Sequence, residues 1–90
     1  MNKERRKNIA VISSQLDELR NRIEDLKDQV NALAEEEQEY YDNMPESFQQ
    51  GEKGQQAEEA QRLLEEGVGY LEEAYDNITN TIDSLSTATE

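Results

Sequence analysis

From Ile9 to Leu33 the large apolar residues fall at Ile9, Ile12, Leu16, Leu19, Ile23, Leu26, Val30 and Leu33. The intervals alternate between three and four without a slip, which is the signature of a heptad seam on one helix. Ile9, Leu16, Ile23 and Val30 occupy position a, and Ile12, Leu19, Leu26 and Leu33 occupy position d. No Gly or Pro interrupts the chain between Lys3 and Asn43. The spacing therefore predicts one helix over about 3–43, roughly 60 Å long. Beyond Leu33 the seam passes to Glu37 and Tyr40, inside the acidic run Glu35-Glu36-Glu37-Gln38-Glu39.

A second periodic stretch follows. Leu64, Leu71, Ile78 and Leu85 recur every seven residues. With these at a, position e holds Val68, Tyr75 and Ile82, and position d holds Ala60, Gly67, Ala74, Thr81 and Ala88. The face has a large flank, a small flank and a shared spine, as in bundles that contact more than one neighbour. The spacing predicts a second helix over about 55–86. Gly67 and Gly69 lie inside it, each costing about 1 kcal/mol relative to Ala. Close approach of another backbone would compensate Gly67, whereas Gly69 marks a place for a local kink.

Between the helices, 44–54 reads as a turn. Asn43 can end the first helix, and Pro45 cannot continue it. Gly51 and Gly54 punctuate a polar stretch whose only large apolar side chains are Met44 and Phe48. These two either cap the core beside Tyr40 and Tyr41 or form an apolar tip for a partner.

Folding the chain back at this turn pairs residues whose numbers sum to 97. Leu33 then meets Leu64, Leu26 meets Leu71, Leu19 meets Ile78, and Ile12 meets Leu85. The expected fold is all-α: one domain, 1–90, forming an antiparallel helical hairpin. Parallel pairing through the first helix is the alternative, since Ile/Val at a with Leu at d suits a two-stranded coil. A lone hairpin half-covers its apolar side chains, so two copies are expected to associate as a homodimer, into a four-helix bundle or coiled coil.

Composition narrows this further. Only 33% of the 90 residues are apolar, so a single core would be thin. Cys and His are both absent, which excludes disulfide stapling and the usual zinc sites. The net charge is −13, and it is uneven. Residues 1–27 carry seven basic and five acidic side chains, whereas residues 28–90 carry two basic and seventeen acidic. Direct contact with nucleic acid or an anionic membrane surface is disfavoured by repulsion. The basic start Lys3-Glu4-Arg5-Arg6-Lys7 reads as a solvated first turn rather than a nucleic-acid arm, and its cations oppose the helix dipole. No stretch is long and apolar enough for a membrane span or a signal peptide. The Asn77-Ile78-Thr79 sequon reads as a chance match.

Nothing points to catalysis. There is no His or Cys, no phosphate-cradling Gly loop and no cleft for paired carboxylates. No cofactor and no metal site are expected. Glu35–Glu39 lacks a calcium-loop pattern. The remaining candidates are surfaces for protein binding. Glu58/Glu59, Glu65/Glu66 and Glu72/Glu73 recur every seven residues, about 10.5 Å along a helix axis. They read as a solvated face, or as rows imitating DNA phosphates for a basic nucleic-acid-binding protein. Tyr41 at e and Tyr70 at g, with Met44 and Phe48, are the apolar candidates. Tyr40 and Tyr75 read as core-edge residues.

The stretch Glu36-Glu37-Gln38-Glu39-Tyr40-Tyr41-Asp42-Asn43-Met44-Pro45-Glu46-Ser47, followed by an acidic Ala/Leu/Glu helix, resembles small, mostly uncharacterised proteins encoded by phages and prophages. The resemblance covers the layout of nearly the whole chain, with its most specific part in these dozen residues. It implies a bacterial cytoplasmic setting and a protein that binds and modulates a host or phage factor. It carries over no catalytic residues. Inhibition of a nucleic-acid enzyme or anti-phage defence complex by DNA mimicry is the second expectation. A structural coiled coil of a virion or scaffold is the third.

Overall fold

The computed structural model describes all 90 residues and is all-helical. Helix α1 spans Lys3–Asp42, α2 Glu46–Gln49, and α3 Glu52–Ala88. The molecule is a rod of 68 × 15 × 13 Å.

Helix α1 begins at a cap. The Asn2 side-chain oxygen accepts a hydrogen bond from the Arg5 backbone N–H at 2.8 Å, and Glu4 lies in the first turn. These offset the unfavourable placement of four cations there. At the other end Asn43 donates its N–H to the Glu39 carbonyl at 3.0 Å, and Pro45 prevents continuation.

The turn is more structured than its composition suggests. Residues 46–49 form a one-turn helix, with the Phe48 and Gln49 N–H groups donating to the Pro45 carbonyl. Gln49 Nε2 also donates to the Tyr41 carbonyl at 2.9 Å, tying the turn to the end of α1. Helix α3 starts at Glu52, three residues ahead of the expected boundary, with Gly51 as its N-cap. Gly54 is therefore helical, not a breaker. A Cβ at Gly54 would lie 2.0 Å from the Gln49 carbonyl oxygen. The glycine is needed because α2 crosses the start of α3 there, and no residue of the turn has a positive φ.

Helix α3 packs along α1. Contacts fall in reverse order along the two helices: Tyr41 lies by Glu58, Lys27 by Glu72, and Arg20 by Thr79. The result is a long helix–turn–helix. Helix α3 runs unbroken through Gly67 and Gly69.

The covered faces differ from the expected seam. On α1 the covered rows are a (Ile9, Leu16, Ile23, Val30) and e (Ser13, Arg20, Lys27, Ala34, Tyr41). The d row is open: Ile12, Leu19, Leu26 and Leu33 are all exposed. On α3 the spine Leu64, Leu71, Ile78 and Leu85 is half-buried, with Val68, Tyr75 and Ile82 beside it. Helix α1 is thus turned so that e, not d, enters the contact. Two features allow this. Ala34 at e is small and, with Gly54 and Ala57, is one of three fully buried residues. Arg20 and Lys27 are long enough to enter the contact half-buried while their heads pair with Asp17 and Glu24.

Candidate interaction surfaces

The e-row edge is a polar seam across both helices. Arg20 donates from one guanidinium nitrogen to Thr79 Oγ1 at 3.1 Å and from the other to Asp17. Its guanidinium carbon lies 5.5 Å from the centre of the Tyr75 ring, a cation–π distance. Two turns further along, Lys27 Nζ sits 3.1 Å from a Glu24 oxygen. That hydrogen bond, with the charges of Glu72 and Asp28, raises the Lys27 pKa above its ordinary value. Glu24, Lys27, Glu72, Tyr75 and Asp76 line a shallow groove here. Near the turn, hydrogen bonding to Glu58 raises the Tyr41 pKa, helped by partial desolvation.

The six paired glutamates, Glu58/Glu59, Glu65/Glu66 and Glu72/Glu73, are all exposed, but they do different things. Glu58 and Glu72 flank the seam beside Tyr41 and Lys27. Glu59 and Glu66 are held by Arg62, which donates from Nε to Glu59 at 3.0 Å and from another nitrogen to Glu66 at 3.1 Å. The Arg62 bond lowers the Glu59 pKa, and Arg62 itself is raised. Glu65 accepts from Gln61 at 3.3 Å. Glu73 has no side-chain hydrogen bond or ion pair. The carboxylates do not converge, and no group of three or more potential metal ligands forms.

The tip collects Tyr40, Asn43, Met44, Pro45, Phe48 and Lys53 around a shallow depression. Phe48 is half exposed, with Lys53 Nζ 5.7 Å from its ring centre. Met44 is half-buried. The two adjacent tyrosines exchange the places expected of them. Tyr40 (d) points outward and lines the tip, whereas Tyr41 (e) turns in against α3. The cause is the same rotation of α1. Tyr70 is 62% exposed on α3, away from the tip, and donates to Glu66 Oε1 at 3.3 Å.

Sequence reasoning missed Arg20, Tyr75 and Thr79 as a cross-helix unit. The available signal was the coincidence of a cation at e on α1 with an aromatic residue at e on α3. No helix is long and apolar enough to cross a membrane. Comparison with known proteins finds no matching family model, no matching curated protein and no matching solved structure.

Proposed function

We propose that this chain is a non-enzymatic, acidic helical interaction protein, which in solution is an antiparallel hairpin that pairs with itself and binds a protein partner through its tip. The observation that carries the reading is the tip itself. A chain that fully buries only Ala34, Gly54 and Ala57 nonetheless orders Tyr40, Met44 and Phe48 around one depression, with Lys53 at its rim. Exposed aromatics on a rigid turn are the usual anchors of protein recognition. The turn is tied down: Gln49 bonds it to the end of α1, and Gly54 lets α2 cross close against α3. The acidic coat keeps the rod soluble and steers basic partners. The resemblance of residues 36–47 to phage and prophage proteins favours a partner among host or phage proteins of a bacterial cytoplasm.

Affinity capture from a bacterial lysate, run in parallel with Phe48→Ala, tests this. The expected result is a specific protein whose capture survives added salt and is lost with Phe48→Ala. Capture indifferent to Phe48 would overturn the tip reading.

DNA mimicry is the second reading, carried by the outward repeat of Glu59, Glu66 and Glu73. Arg62 weakens it by pairing with Glu59 and Glu66, two of the three. Mimicry requires that DNA compete for the partner and that binding collapse with salt. A virion or scaffold coiled coil is a third reading, and it requires large oligomers.

A further inference from the structure

Arg20, Lys27 and Tyr41 of α1 meet Tyr75, Thr79, Glu72 and Glu58 of α3, so the e and b edges of both helices share one side of the rod. The d and g edges of both helices consequently share the opposite side. That side is unlike the rest of the molecule. From α1 it carries the exposed row Ile12, Leu19, Leu26, Leu33 and Tyr40, and from α3 Leu63 and Tyr70. Seven of the ten exposed large apolar residues thus lie on one broad face. Between Ile12 and Tyr40 the only charges on the d and g rows are Arg22 and Glu36, and from Ala60 to Ser84 of α3 there are none. A protein of net charge −13 therefore has one neutral, apolar side.

We propose that a second copy of this chain covers the d/g face, with the two turns at opposite ends of the rod. The inference rests on the self-association named above and specifies its face and direction. The size fits. The rod's broad face measures 68 × 15 Å, roughly 1,000 Å² in projection, against about 800 Å² per partner in a standard stable interface. The face is also a straight, seven-residue-periodic stripe, and another stripe of the same length and period is the natural complement.

Gly67 is an independent indication. It lies on the d row in mid-helix, yet a Cβ there would meet nothing within 4 Å. Packing within one chain does not require a glycine at that position. With Ala60 and Ala74 one heptad to either side, it leaves a shallow furrow on α3 beside the ridge of the α1 d row. A second copy can lay its own ridge into that furrow.

Charge selects the direction. Residues 3–7 at the open end carry four cations and one anion, while residues 35–59 at the turn end carry nine anions and one cation. Pairing with turns together would stack the two most acidic regions. The opposite direction sets each basic start beside the partner's acidic turn.

The test uses the full chain, which has no native cysteine. A spin label on Ser47→Cys reports the turn-to-turn separation by pulsed dipolar spectroscopy. The proposal expects a separation approaching the 68 Å length of the rod. A separation within about 30 Å, two to three helix diameters, overturns the direction. Leu26→Glu and Gly67→Gln are each expected to weaken dimerisation at least tenfold. Gly67→Gln should also raise helicity, because the position is open in the single chain, so its loss of pairing is not a loss of fold. Wild-type dimers that persist in both variants overturn the face while leaving self-association intact. A wild-type chain that stays monomeric overturns both.

Discussion

A methyl group on Gly54 would lie 2.0 Å from the Gln49 carbonyl oxygen, whereas one on Gly69 would meet nothing within 4 Å. Both residues are helical, so the same substitution has opposite effects. Gly54→Ala must push α2 off α3 and is expected to cost about 1–3 kcal/mol, seen as a lower thermal midpoint. Gly69→Ala is expected to gain about 1 kcal/mol from helix propensity alone and to raise the midpoint. Composition did not separate the two, because the need for Gly54 arises only when the turn brings another backbone against it. Arg62 supplies a pH test at the same scale. Its hydrogen bond lowers the Glu59 pKa. A lowered carboxyl pKa contributes stability above the unfolded value, near 4.3, and that stability is lost as pH falls through the folded value. Arg62→Gln should therefore lower the melting midpoint slightly at neutral pH. The difference from wild type should shrink as pH falls through the lowered Glu59 value. A gap that persists once Glu59 is protonated would show that Arg62 acts through packing instead.

The long helices were legible because alternating intervals of three and four persist over several heptads in each. The four-residue helix α2 was not, since a single turn has no periodicity to read. The rotation of α1 was also hidden. In the sequence, a row containing Arg20 and Lys27 looks like a solvent row, and a row of Ile12, Leu19, Leu26 and Leu33 looks like core. The structure reverses the two because the Arg20 guanidinium lies over Tyr75 and reaches Thr79, while small Ala34 admits close approach. The tip residues Met44 and Phe48 were visible as the lone apolar side chains of a polar turn, but the choice between Tyr40 and Tyr41 depended on the same rotation. The seam itself is testable through Tyr41. Its phenol is raised by Glu58, so Glu58→Gln should bring its ultraviolet titration back toward about 10. An unchanged titration would separate the two side chains.

At the scale of the whole molecule, two helices side by side cannot enclose a core. Every large apolar residue of the chain keeps some exposure, and the fully buried residues are two alanines and a glycine. The rod keeps its acidic charges on one set of faces and its apolar residues on another. In the proposed pairing, that segregation brings two strongly anionic chains together along their neutral sides and leaves the carboxylates and the aromatic tip outside. Added salt should therefore leave the paired rod intact, since apolar burial holds it together and screening relieves the repulsion between like-charged chains. The most direct measurement is the mass in solution by light scattering across a range of protein concentrations. The account predicts a concentration-dependent approach to twice the 10.4 kDa chain mass, with no larger species. A mass that remains at 10.4 kDa at every concentration, or that grows without limit, would contradict it.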